Sequence, residues 1–281
     1  MGCLISYCLN TGYFMNTSKQ LSVQTIKGMN VIGLITLIKR EVGRFLNVYT
    51  QTIVAPVITT LLFYTVFALA FGGIQRTVGD VSFMAFLAPG LIIMTMVQNA
   101  FANTSSSLVI SKVQGNIVDV LMPPLSAGEI FTGFVCGSVI RGVVVGFVTI
   151  CVVQFFVPLS FHSVPLIILY AFLGTFMMGA LGIAAGIWSE KFDHIAAVTN
   201  FVVTPLTFLS GTFYSINQLP GIWREIALYN PFFYMIDGFR YSFIGQADGD
   251  IVTGIIVLVG INVFLTALCL WMLRTGYKIK A

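Results

Sequence analysis

Six stretches of the chain are apolar almost without interruption: 52–72, 83–102, 142–158, 165–188, 195–214 and 251–273. Each approaches the roughly 20 residues a helix needs to cross the hydrocarbon of a bilayer. None shows the period-two alternation of a barrel strand, so each is predicted to be a transmembrane helix. Between residues 30 and 47 the pattern changes. Val31, Leu34, Ile35, Ile38, Val42 and Phe45 recur every three or four positions, with Lys39, Arg40 and Arg44 off that stripe. This spacing predicts an amphipathic helix lying on the bilayer surface, either as a lipid anchor alone or as an anchor that also meets a partner.

Two polar segments interrupt the spans. Between the second and third, Asn103-Thr104-Ser105-Ser106-Ser107 is expected to close the second helix on the water side. Residues 111–122 follow, with Ile117, Val120 and Leu121 sharing one face of a short helix that Pro123-Pro124 ends. Such a helix is a bare connector or a docking element. Arg141 then opens the third span, its guanidinium either snorkelling to the interface or facing a substrate path. Gly133/Gly137, Gly142/Gly146 and Gly182/Gly186 are G-x-x-x-G pairs, which permit close helix contact. Segment 215–249 is aromatic-rich but too broken by Pro220 and Pro231 to span. It is predicted to form two short helices in, or re-entering, the external leaflet. Asn230 would cap the second, with Pro231 at its first position. Asp237 and Arg240 are spaced to pair on one face, and Trp223, Tyr229, Tyr234 and Tyr241 suit an interfacial belt. A structural lid and an exit gate both fit this segment.

Composition closes off whole classes. Charged residues are 9% of the 281 and hydrophobic ones 57%, against roughly 25% charged in a soluble domain. So few charges cannot cover a water-exposed surface, which excludes soluble enzymes, DNA-binding modules and disordered scaffolds. A net charge of +4 makes no nucleic-acid footprint. The placement of the cations says more. With the N-terminus in the cytoplasm, that side receives Lys19, Lys27, Lys39, Arg40, Arg44, Lys112, Arg141, Lys191, Arg274, Lys278 and Lys280, and the other side only Arg76, Arg224 and Arg240. That bias puts both termini in the cytoplasm.

No Asp, Glu, Lys or Arg falls within the six apolar stretches. Ion-coupled carriers usually keep an intramembrane carboxylate, so the energy is expected to come from elsewhere. The sequence contains no G-K dipeptide and hence no P-loop, and neither H-E-x-x-H nor G-x-S-x-G. The five cysteines form no C-x-x-C pair, and with only two histidines present they are read as packing residues; no metal or cofactor is expected. Residues 1–29 read as a poorly ordered extension and 30–281 as the transmembrane domain. The chain begins Met1-Gly2-Cys3-Leu4-Ile5-Ser6, which matches an N-myristoylation pattern, although Met15 and Met29 are alternative starts.

Four segments, in order, resemble the permease subunits of ABC-2 type ATP-binding-cassette exporters, a family with polysaccharide-, nodulation-factor- and drug-export members. They are LIKREVGRFL (37–46), SKVQGNIVDVLMPPLSAGEIFTG (111–133, with Arg141-Gly142 after it), SEKFDHIAAVTNFVVTPLTFLSGTFYS (189–215) and LPGIWREIALYNPFFYMIDGFRYSFIG (219–245). The proline that often follows Phe-Tyr in that pattern is Ser215 here. The resemblance implies an all-α integral membrane protein of six transmembrane helices in a bacterial inner membrane. It further implies a homodimer, each copy docked on a separate ATPase subunit that would bind the ATP. Lys112, Val113, Gln114, Gly115, Asn116, Ile117, Asp119 and Leu121 would then belong to a cytoplasmic coupling helix, and Glu190, Lys191 and Asp193 to a second contact. Lys39, Arg40, Glu41 and Arg44 would lie on the interfacial helix beside the ATPase, and Asn230, Pro231, Asp237, Gly238 and Arg240 would form an external gate. A stand-alone channel or carrier, and an assembly subunit without a transport path, are the readings from other classes. Cavity-facing and lipid-facing positions are alike apolar, so the substrate is expected only to be amphipathic or lipid-like.

Overall fold

A computed structural model of the protein describes residues 28–71, 77–78 and 81–278. Most of the N-terminal extension, with its acylation pattern, lies outside them, as do Lys19, Lys27, Arg76 and Lys280. The chain runs through α1 (Val31–Leu46), α2 (Ala55–Phe71), α3 (Phe83–Val113), α4 (Ile117–Leu121), α5 (Ala127–Val153), α6 (Val164–Trp188), α7 (Phe192–Val198), α8 (Thr204–Leu209), α9 (Ile222–Tyr229), α10 (Pro231–Ile244) and α11 (Ile251–Thr275). Two-residue strands, Thr77–Val78 and Val81–Ser82, pair antiparallel between α2 and α3. Among the described residues, six segments are long and apolar enough to cross a membrane: Thr50–Ala70, α3, α5, α6, Phe192–Leu209 and α11.

Two span boundaries differ from those expected. The polar run Asn103–Ser107 does not end the second span; α3 continues through it to Val113. Its polar groups find partners inside the bundle, which removes the reason to stop. Thr104 Oγ1 donates to the Gly179 carbonyl at 2.9 Å, and Ser105 Oγ to that of Phe101 at 2.8 Å. The third span begins at Ala127, not near Arg141. A capping box starts it: Glu129 N donates to Ser126 Oγ and Ser126 N to Glu129 Oε2. Glu129 Oε1 also accepts from the backbone N–H of Asn30, pinning the start of α1 to the start of α5.

The glycine pairs are where helices meet. Gly133 and Gly137 face Leu37 and Glu41 of α1, Gly142 and Gly146 face Met96 of α3, and Gly182 and Gly186 of α6 face Phe101 and Leu108. α3 is thereby the central helix: 78% of its most apolar stretch is buried, against 17% for Thr50–Ala70 and 11% for Phe192–Leu209. Those two loosely held spans share another feature. Each contains a π turn, at Thr50–Val54 and Thr199–Val203, closely followed by a proline, Pro56 or Pro205.

α1 is amphipathic, and it packs by one edge of its apolar stripe together with Leu37 and Glu41 beside it. Leu37, Glu41 and Phe45 are buried, whereas Val31 and Ile35 of the stripe are exposed.

Candidate functional site

The residues expected to form a coupling helix lie at one end of the bundle, where α3 ends and α5 starts. Lys112 belongs to the last turn of α3 rather than to a separate helix. Its ammonium donates to the carbonyls of Ile187 and of Ser189 (3.1 Å for the latter), satisfying the C-terminal end of α6. After the exposed Val113 that ends α3, Gln114, Gly115 and Asn116 form an exposed turn, with Gly115 at φ +75°, a conformation that favours glycine. α4 is therefore only Ile117–Leu121. Ile117 and Val120 anchor it in the core, while Asp119 and, contrary to the expected shared face, Leu121 are exposed with Val118 and Met122.

Glu190, Lys191 and Asp193 are exposed at this same end. Glu190 Oε1 accepts from Lys278 Nζ at 3.1 Å, joining α6 to the segment after α11. That hydrogen bond, with the charge behind it, holds the Glu190 carboxyl below its ordinary value. Lys112 thus ties the α4 region to the 189–193 segment, two regions far apart in sequence.

The four residues assigned to the interfacial helix separate. Lys39 and Arg40 are exposed, but Glu41 is fully buried. It accepts from Ser107 Oγ at 2.8 Å and pairs with Arg44 at 3.2 Å and, more loosely, with Arg40 at 3.8 Å. Arg44 Nη2 also donates to the Asn103 carbonyl and to Asn103 Oδ1, at 2.6 and 3.1 Å. Glu41 and Arg44 therefore bind α1 to α3 instead of projecting outward together.

Arg141 neither opens a span nor snorkels. It lies midway along α5, 8% exposed, and Nη2 donates to Asn99 Oδ1 on α3 at 2.9 Å. Asn99 borders two grooves of about 310 and 350 Å³. The first runs between α3 and the Thr50–Ala70 span, past Gln51, Thr59 and Thr95. The second runs between α3 and the Phe192–Leu209 span, past Ser105, Thr199 and Thr204. The polar stripe Thr95, Asn99, Asn103 and Ser107 recurs every four residues along α3. That periodicity was the available signal for it, hidden by the apolar residues around it.

At the opposite end the five residues expected to form a gate are buried or half-buried and hold the fold together. Asn230 caps α10 as expected, Oδ1 accepting from Phe232 N at 3.1 Å, while Nδ2 reaches the Leu206 carbonyl and Ser210 Oγ, both at 2.9 Å. Pro231 takes the first helical position. Gly238 lies flat against the Tyr170 ring. Asp237 and Arg240 have separate partners in place of the expected pair. Asp237 accepts from the backbone N–H groups of Asp248 and Gly249 at 3.0 and 2.9 Å. Arg240 donates to the Gly211 carbonyl at 2.6 Å and stacks on Phe86 at 3.8 Å. Among the described residues, no ion pair within 4.0 Å joins the two. Asp248, which the sequence did not single out, accepts from Ser215 Oγ, Ile216 N and Asn217 Nδ2 and closes this end.

Among the described residues, six spanning-length segments, with the polar-striped α3 at their centre, define an all-α multi-pass membrane protein. The chain belongs to the ABC-2 type transporter family, whose pattern matches residues 33–244. It is similar to the inner membrane transport permease YadH of Escherichia coli (strain K12), 36% identical over 250 residues that cover 89% of this chain and 98% of that protein. It is also similar to nodulation protein J of Rhizobium leguminosarum bv. viciae, at 25% identity over 187 residues, 64% of this chain and 70% of the relative. Nodulation protein J of Sinorhizobium fredii (strain NBRC 101917 / NGR234) is 21% identical over 210 residues, 74% of this chain and 76% of the relative. The chain is accordingly a membrane transport permease of the ABC-2 type.

Proposed function

We propose that this permease is the membrane subunit of an ATP-binding-cassette exporter in a bacterial inner membrane, working as a homodimer energised by two separate ATPase subunits. The observation that carries this reading is the contrast between the buried α3 and the two spans beside it, whose apolar stretches are only 17% and 11% buried. Between them and α3 run grooves bordered by Gln51, Gln98, Asn99 and Thr199. Amide groups facing hydrocarbon are costly. A second copy laid against the Thr50–Ala70 and Phe192–Leu209 spans covers those grooves and turns them into a shared path.

The α4 end is the cytoplasmic one. Lys39, Arg40, Lys191, Arg274 and Lys278 cluster there, against Arg224 and Arg240 at the other. This count no longer includes Arg141, and the positive-inside bias stands without it. Both termini follow it to the cytoplasm. The exposed Val113, Val118, Leu121 and Met122, beside the charged Glu190, Lys191 and Asp193, form a mixed surface suited to an ATPase partner. A partner can drive the permease only through contacts that differ between its states, and Lys112 is the route from that surface into α3 and α6. The α9–α10 region is the external gate in this scheme, its buried polar contacts being what opening must rearrange.

Native mass spectrometry of the gently solubilised complex tests the reading. Two copies of this chain with two P-loop ATPases are expected. A chain that stays free of ATPase in mild detergents, and transports in ATPase-free vesicles, would overturn it in favour of a self-contained channel or carrier.

A further inference from the structure

Arg141 is the fifteenth of 27 residues in α5, near the middle of a spanning helix, and 8% exposed. Its recorded hydrogen bond goes to a neutral group, Asn99 Oδ1, and its Nε has no partner. Among the described residues, no carboxylate oxygen comes within 4.0 Å of it. The nearby acid on α1, Glu41, is already engaged by Arg40, Arg44 and Ser107. A guanidinium held at this depth without an anion is expensive, and the fold does not compensate it.

The missing negative charge has a place to arrive. Asn99, whose Oδ1 accepts the Arg141 hydrogen bond, borders both grooves along α3, and its own Nδ2 donates to the Thr95 carbonyl at 3.0 Å. The guanidinium therefore stands one side chain behind the groove wall. Neither groove contains an acidic residue that would repel an anion. The apolar part of the lining, including Leu91, Met94, Phe101, Val203 and Phe213, suits an apolar body and would not hold a hydrated inorganic ion.

We infer that the path along α3 takes an amphiphile with an anionic head group, a carboxylate or phosphate carried on an apolar body, and that Arg141 and Asn99 select that head. This rests on the grooves being the transport path, as proposed above. A cationic amphiphile meets an uncompensated positive charge at the same point and is disfavoured.

The test uses the full chain in phosphatidylcholine nanodiscs and three fluorescent probes with one C12 chain: a carboxylate, its methyl ester and the matching amine. Binding is read as the saturable signal above empty nanodiscs. The carboxylate is expected to bind about tenfold more tightly than the other two. Arg141→Gln removes that preference. So does Asn99→Asp, which gives the guanidinium a resident carboxylate and keeps the core charge-paired, so it decides the matter even if Arg141→Gln does not fold. Equal binding of the three heads to the wild-type chain, or a preference that survives both substitutions, overturns the inference. Ala102→Trp, which fills the second groove, separates this from the underlying reading. Loss of all three probes with equal wild-type affinities leaves the path standing and removes only the head-group selectivity, whereas binding unchanged by Ala102→Trp removes both.

Discussion

Glu41 of α1 and Ser107 of α3, 66 positions apart, share a 2.8 Å hydrogen bond in which the carboxylate is fully buried. With Arg44 it forms the polar clasp between the peripheral helix and the centre of the bundle. Glu41→Ala leaves the Arg44 guanidinium half-buried without its anion. The expected loss is about 3 kcal/mol, the scale for removing one partner of a buried pair. Glu41→Gln keeps an acceptor for Ser107 and should lose less. Thermal unfolding of the purified chain in detergent checks the order, Ala below Gln below wild type. Equal midpoints for all three would show that α1 is not held by this contact.

Gly182 sits where α6 crosses α3, and a β-carbon there would meet the Phe101 carbonyl at 2.7 Å. Backbone cannot move aside as a flexible side chain can, so Gly182→Leu is expected to prevent the two helices from closing. Gly260 of α11 has nothing within 4 Å of the equivalent position. Gly260→Leu should therefore give the wild-type size-exclusion profile, while Gly182→Leu yields aggregate or no protein.

Gly115 tests the proposed docking surface. Its φ of +75° is closed to proline, whose ring fixes φ near −65°. The turn is exposed, so Gly115→Pro should reshape the α3–α4 connection without preventing insertion. Copurification of the ATPase and ATP-driven transport are expected to fall sharply, whereas Gly115→Asn, which tolerates the left-handed region, retains both. Intact coupling in the proline variant would remove the docking role from this segment.

The Glu190–Lys278 pair gives a pH dependence of known sign. The folded-state carboxyl is held below its unfolded value, so the link is present above the unfolded carboxylate pKa and is lost as pH falls through the lower folded one. The carboxylate is 62% exposed, so the effect is local and weakened by salt. Amide exchange in residues 274–278 should quicken, beyond its intrinsic pH dependence, on going from pH 7 to acid. Lys278→Met should show the faster exchange already at pH 7. An exchange profile identical in both proteins would mean that the segment after α11 is held by something else.

The spans were legible because the hydrocarbon accepts only one backbone solution, and a run of apolar residues of that length announces it. Their ends were less so. Arg141 and the Asn103–Ser107 run look like water-facing boundaries when charge and polarity are read locally. Inside the bundle the same groups meet partners 42 to 75 positions away: Arg141 donates one hydrogen bond to Asn99, Thr104 donates to Gly179 and Ser107 to Glu41. The apolar stripe on α1 misled for a related reason. Its Val31 and Ile35 face outward, while Phe45 at its end is buried together with Leu37 and Glu41, which lie off it. The Asp237–Arg240 spacing was right for a pair, but the loop at Asp248 and the carbonyl of Gly211 claimed each side chain first, and neither contact is encoded in i, i+3 spacing.

The two π turns set how the outer spans present themselves to α3. A π turn holds one residue more than the α repeat, so whatever follows it is turned by about 100° around the helix axis. In the Thr50–Ala70 and Phe192–Leu209 spans, the side chains that meet the grooves are thus chosen by a phase slip rather than by sequence spacing alone. Moving that slip by one turn would aim a different set of threonines and aromatics at the grooves while each span remained a continuous helix.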